Sequence, residues 1–269
     1  MKHIDSIIPK LNAITKPVIL LIGPASAGKT VTLIRLAKYL RSKGDFKILP
    51  NEDFRDDEEY SESCKQFQHI LNSNNLAPAP TVPINFLLVD IYRNNKLDYH
   101  ILEAPGEHFF DTQNPYQNTN RAYLASLFSK DVKKVMVFIF EKNMLSSDEL
   151  QQAYANRLSH FVSLVKPKNE DRILFMLNKV DKLPVQEYGT VNAKEVKKYI
   201  YENSNFNSLK HAIINVKGLD PVAFIPFSSG TFNEIDEGKQ SMVLSNEDYP
   251  KSLWNSITKP YKTFLFWKW

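Results

Sequence analysis

Two short stretches of the chain carry the residue types needed to hold a nucleotide. Gly23-Pro24-Ala25-Ser26-Ala27-Gly28-Lys29-Thr30 is a complete G-x-x-x-x-G-K-[ST] loop, and Asn178-Lys179-Val180-Asp181 reads N-K-x-D. In the first, the backbone N–H groups of Gly23, Ala25, Ser26, Ala27, Gly28, Lys29, Thr30 and Val31 converge on a phosphate, provided a strand precedes and a helix follows. Lys29 then reaches the β- and γ-phosphates, and the Thr30 hydroxyl holds Mg²⁺. In the second, Asp181 offers two carboxylate oxygens to a base edge with two neighbouring N–H donors. Guanine has that edge and adenine lacks it. Asn178 ties this base loop to the phosphate loop, while the Lys179 stem packs along the purine ring. The competing readings are a chance match among small residues and a plain polar turn. The flanking elements weigh against both.

Those elements follow from hydrophobic patterning. Pro17-Val18-Ile19-Leu20-Leu21-Ile22 predicts a buried strand before the loop, and residues 31–40 predict a helix after it. Arg41-Ser42-Lys43-Gly44 is that helix's basic end and glycine stop. Further strands are predicted at 84–92, 97–103, 134–141, 172–177 and 222–227. Helices are predicted at about 55–72, 118–129, 146–165, 191–203 and 248–255, with an apolar stretch at 209–215. Arg93-Asn94-Asn95-Lys96 has hairpin chemistry, because Asn tolerates the left-handed conformation. Asp53 and Asp56-Asp57-Glu58-Glu59 read as a solvated face rather than a metal site. Strands alternating with helices predict an α/β fold: a mostly parallel central sheet with one antiparallel hairpin strand and helices on both faces. Ligands bind such sheets beyond the carboxyl ends of the strands, which is where each motif falls.

Composition narrows the rest. The 269 residues are 43% hydrophobic and 24% charged, an ordinary globular balance. A net charge of +4 from mixed signs gives no basis for nucleic-acid binding. No apolar run approaches the ~18 residues that span a bilayer, and the amino-terminal segment lacks a signal-peptide core. Lys2 follows Met1 where myristoylation needs glycine, and no CaaX box ends the sequence. The single cysteine, Cys64, excludes an internal disulfide framework and predicts a cytoplasmic setting.

Taken in order, the motifs resemble those of Ras-like P-loop GTPases of the translation-factor-related (TRAFAC) class, the bacterial small-GTPase-like proteins more than the eukaryotic signalling ones. The resemblance spans about residues 16–230 and implies a P-loop NTPase fold, a Ras-like G domain. Thr81 resembles the switch I threonine that senses Mg²⁺ and the γ-phosphate. Glu103-Ala104-Pro105-Gly106 resembles the D-x-x-G switch II motif, and Ser228-Ser229 the serine-containing base loop. The resemblance thus implies GTP or GDP as ligand, Thr30, Thr81 and Glu103 around Mg²⁺, the Gly106 amide on the γ-phosphate, and Asn178, Lys179, Asp181, Ser228 and Ser229 around guanine. Catalytic candidates are Lys29, Thr81, Glu107 and His108. It also implies slow GTP hydrolysis and a protein effector or activator reading residues 45–83 and 103–117.

Departures from the pattern matter equally. Glu103 replaces the usual switch II aspartate. Glu107 stands where related enzymes place a water-orienting glutamine, and a carboxylate there is repelled by phosphate. His108 is either its substitute or an exposed loop histidine. No arginine is placed as a finger in cis; Arg93 and Arg121 are nearby candidates. The division expected is an arm at 1–15, a G domain at 16–230 with a long switch I insertion at 45–80, and an extension at 231–269. That extension ends with Tyr261, Phe264, Phe266, Trp267 and Trp269, read as packed on the domain or docked on a partner or membrane. A nucleotide-loaded scaffold without hydrolysis, and an ATP-using enzyme, are the rival readings.

Overall fold

The computed structural model describes residues 9–73, 84, 86–109, 122–141, 148–165, 170–182, 224–236 and 239–259. Residues 1–8, Thr81 with the Pro-rich stretch around it, 110–121, 191–203, 209–215 and 261–269 lie outside that set.

Nine strands and five α-helices organise the described chain. In order they are β1 (Val18–Ile22), α1 (Lys29–Arg41), β2 (Phe46–Pro50), α2 (Glu58–Asn72), β3 (Leu87–Arg93), β4 (Lys96–Glu103) and α3 (Ala122–Ser129). Then follow β5 (Lys134–Glu141), α4 (Asp148–Val165), β6 (Arg172–Asn178), β7 (Phe224–Pro226), β8 (Gly230–Asp236), β9 (Lys239–Leu244) and α5 (Asp248–Thr258). A seven-stranded sheet runs in the order β2-β3-β4-β1-β5-β6-β7. Only β3 opposes its neighbours; β4, β1, β5, β6 and β7 pair in parallel. The predicted mostly parallel sheet with one reversed strand is what forms.

Burial explains the strand pattern. Every residue of β1 is buried, as in a strand covered on both faces, so its sequence runs apolar without alternation. Phe138 of β5 stacks on Phe175 of β6 at 5.5 Å, and Phe161 of α4 meets both Phe138 and Phe128 edge-on. At the predicted hairpin, Asn94 and Asn95 take φ of 50° and 62°, the left-handed pair that a tight two-residue turn demands.

Two elements escape the sequence patterning. β2 pairs with β3 at the sheet edge, inside the stretch expected to be an insertion, and it ends at Pro50, which only an edge strand tolerates. The hairpin β8–β9 forms a separate two-stranded sheet directly after the base loop. The final helix, predicted at 248–255, extends to Thr258. Its Trp254 meets Phe46 and Tyr99 edge-on, each at 5.6 Å, so α5 belongs to the body of the molecule. Among the described residues, no helix is long and apolar enough to cross a membrane.

Candidate functional site

The carboxyl ends of β1, β4, β6 and β7 deliver the chemistry-bearing residues to one rim. After β1, the loop turns through Ser26 at φ 63° and Gly28 at φ 87° before α1 begins at Lys29. A Cβ at Gly28 would lie 2.4 Å from Asn178 Nδ2, so both backbone conformation and space require glycine there. Lys29, 6% exposed, donates from Nζ to the carbonyls of Gly23 and Pro24, each at 3.0 Å. Burial lowers its pKa, while the charges of Glu103 and Glu107 pull the other way. The ammonium is thus held under the loop and surrounded by it.

Glu103 ends β4 beside this loop. The Thr30 hydroxyl donates to its Oε1 at 3.1 Å. Burial drives the Glu103 pKa up; Lys29, Thr30 and the Phe86 amide oppose that, and Glu107 reinforces it. Its second oxygen, Oε2, is buried and makes no hydrogen bond of good geometry. Gly106 follows in a 3₁₀ turn (Gly106–His108), and a Cβ on it would lie 2.3 Å from the Ala25 nitrogen. The Gly106 turn and the glycine loop therefore touch through bare backbone.

Mg²⁺ prefers hard oxygen ligands and keeps most of its shell for water and phosphate. The Thr30 hydroxyl beside a buried carboxylate with one unsatisfied oxygen fits that ion. Among the described residues no cluster of three or more His, Cys, Asp or Glu could cage a metal without the help of phosphate.

The base loop assembles opposite. Asn178 ends β6 and donates from Nδ2 to the Ala27 carbonyl at 2.8 Å, joining the two motifs. Lys179, at φ 56°, reaches back over the phosphate loop to the Ser26 carbonyl at 3.2 Å and pairs with Glu141, the last residue of β5. Asp181 sits in a 3₁₀ turn, Val180–Lys182, where its Oδ1 accepts the Ser228 hydroxyl at 2.7 Å. The turn is pinned because the Val180 amide donates to the Phe227 carbonyl at 3.2 Å. Ser228 and Ser229, just past β7, are both buried.

The structure therefore gathers Gly23, Ala25, Ser26, Ala27, Gly28, Lys29, Thr30, Glu103, Gly106, Asn178, Lys179, Asp181, Ser228 and Ser229. Val31 lies in the first turn of α1, partly buried, and Thr81 lies outside the described residues. Glu107 is exposed on the 3₁₀ turn. His108 is buried rather than an exposed loop residue. Its Nδ1 shares a hydrogen with the Tyr123 hydroxyl at 2.8 Å, and its ring meets Phe86 edge-on at 5.2 Å. Arg93 corrects the finger candidacy. The β3–β4 turn carries it to the amino end of β4, opposite Glu103, where it pairs with Asp45 at 3.3 Å. Arg121 lies outside the described residues. Glu141, Arg35 and Ser245 were missed by sequence reasoning: a polar residue at a strand end, inside a helix or after an unrecognised hairpin carries no motif.

No protein-family model matches the chain, and no curated protein matches it either. Solved structures do resemble it. Toc33 from Arabidopsis thaliana, in complex with Mg²⁺ and GMPPNP, is 12% identical with a TM-score of 0.46, over 92% of this chain and 86% of that one. A protein described as nucleolar GTP-binding protein 1 from Plasmodium falciparum is 16% identical with a TM-score of 0.42, over 82% and 80%. A GTPase from Pyrococcus abyssi in apo form is 14% identical with a TM-score of 0.39, over 78% and 90%. On its own strand order, with the glycine loop between β1 and α1 and polar residues gathered at the strand ends, the chain has a P-loop NTPase α/β fold.

Proposed function

We propose that the chain is a guanine-nucleotide-binding switch protein that hydrolyses GTP slowly to GDP and phosphate. The observation that carries this reading is the hydrogen bond from Asn178 to the Ala27 carbonyl, with Asp181 held by Ser228 beside it. A base-reading carboxylate and a phosphate cradle thereby share one rim.

Asp181 accepts the two N–H donors of guanine, and adenine leaves that carboxylate unpaired. Amides of the loop and the Lys29 ammonium bind the phosphates, so Lys29 exchanges its carbonyl partners for phosphate oxygens. Thr30 and Glu103, with Thr81, would hold Mg²⁺, which would supply charge neutralisation for the phosphates. In hydrolysis a water oxygen bonds to the γ-phosphorus as the bridging P–O bond breaks, giving GDP, phosphate and a proton. Glu107 and His108, on the turn that begins at Gly106, are the proposed catalytic groups alongside Lys29 and Thr81. Glu107 accepts but does not donate hydrogen bonds once ionised, which makes the intrinsic rate low. Thr81 and Gly106 would carry the state of the γ-phosphate to a protein partner through 45–83 and 103–117. The resemblance to TRAFAC-class proteins of bacterial type, the cytoplasmic setting and the division into arm, G domain and extension belong to the same proposal.

A second reading rests on Glu107 itself: a nucleotide-loaded scaffold in which that carboxylate has removed hydrolysis. Single-turnover phosphate release from GTP separates the two. A rate above that of GTP in buffer supports the switch, and no release above it leaves the scaffold.

A further inference from the structure

Ser245 lies where β9 gives way to α5, and each of its polar atoms is committed to the back of the base loop or to α1. Its amide donates to the Ser229 carbonyl at 3.2 Å, and its hydroxyl donates to the Ser228 carbonyl at 2.5 Å. Its own hydroxyl and carbonyl oxygens accept from Arg35, Nε at 3.2 Å and the terminal nitrogen at 2.7 Å. The directions are forced. A guanidinium only donates, so the single Ser245 hydroxyl proton is left for Ser228. Both carbonyls of the Ser228-Ser229 pair are thus fixed from behind by one residue, leaving the Ser228 hydroxyl to meet Asp181 at 2.7 Å.

Arg35 is 2% exposed and lies on α1, the helix that starts at the phosphate loop. A buried, permanently charged fork persists only where acceptors match it, and Ser245 supplies two. Nearby, Glu247 forms an ion pair with Lys43 of the α1 exit at 2.7 Å and lends negative charge to Arg35. The segment after β9 is therefore fastened to α1 at both 245 and 247.

We propose that Arg35 and Ser245 are positioning residues for base selectivity, a bracket that aims Asp181 from behind through Ser228. The hairpin β8–β9 is the detour that brings Ser245 back to the base loop. The inference rests on the guanine-nucleotide reading above. It adds a consequence: the phosphate-loop helix and the base carboxylate are linked through Arg35, Ser245 and Ser228, independently of the Asn178–Ala27 bond.

The test compares binding of GDP, inosine diphosphate and ADP to the full chain and its variants by titration calorimetry with Mg²⁺. Inosine lacks the 2-amino group, so the ratio of GDP to inosine diphosphate affinity reads how well Asp181 is aimed. Ser245→Ala is expected to lower that ratio about tenfold, a loss of one charge-linked hydrogen bond's worth of alignment. Affinity for inosine diphosphate should change little. Ser245→Thr, which keeps the hydroxyl, should restore the ratio, and Arg35→Lys, which loses the fork, should not. Thermal unfolding of each variant identifies loss of fold, and Ser245→Thr against Ser245→Ala keeps the comparison between folded proteins. A wild-type preference for GDP with an unchanged ratio in Ser245→Ala overturns the bracket alone. Wild-type protein that binds ADP as tightly as GDP overturns the guanine reading beneath it.

Discussion

In the proposed site the Asp181 carboxylate accepts two N–H donors from a base edge, whereas an amide there would accept one and donate another. Asp181→Asn should therefore weaken GDP about a hundredfold and favour xanthosine diphosphate, whose 2-oxo group takes the new donor. Displacement of a fluorescent nucleotide by each diphosphate reads the swap, and retained GDP preference would remove Asp181 from base reading. Glu107 invites the opposite substitution. Glu107→Gln trades a repelled carboxylate for an amide able to donate to water, so single-turnover hydrolysis should rise about tenfold. An unchanged rate would place the attacking water elsewhere. That most of these residues share one rim was legible because motif chemistry fixes their types: the proposed phosphate loop needs Gly28 and Lys29, and the proposed guanine site needs a carboxylate. His108 was not legible. Its burial against Phe86 and Tyr123 depends on partners brought together only by folding.

At the scale of elements, α2 shows how an apparently solvated acidic cluster acquires a structural member. Asp57 caps the helix by accepting the Tyr60 amide at 3.0 Å and pairs with the fork of buried Arg55 at 2.8 and 2.9 Å. Burial would raise its pKa, but the Arg55 and Tyr60 hydrogen bonds prevail and hold it below the usual aspartate value. A depressed carboxyl stabilises the fold above its unfolded pKa and loses that contribution as pH falls through the folded value. Asp57→Ala should cost about 2 kcal/mol near neutral pH. The gap from wild type should stay level down to about pH 4.5 and close below about pH 4. Urea midpoints measured across that range check it; a gap that widens in acid would contradict the pairing. The predicted helices and buried strands that fall on described residues formed because their apolar periodicity is intrinsic to the segment. Strand β2, by contrast, is specified by its pairing with β3, and β8 and β9 mainly by each other, which no local pattern declares.

The whole molecule joins its carboxyl-terminal helix to the sheet. Trp254 rests on Phe46 of the edge strand and Tyr99 of β4, so the last described helix and the first unforeseen strand are held by one side chain. Trp254→Ala should lower stability by about 3 kcal/mol, read as a fall in the thermal midpoint; an unchanged midpoint would detach α5 from the core. Arrangement at this scale also carries the proposed function, since the loops bearing Lys29 and Asp181 are far apart in sequence and share one rim because β1 and β6 flank β5. The most direct measurement is calorimetric titration of nucleotide-free protein with GDP and with ADP, both in excess Mg²⁺. One GDP should bind per chain, at least about a hundredfold tighter than ADP, a gap of roughly 2.7 kcal/mol. Equal affinities for the two nucleotides, or binding of neither, would contradict the guanine site.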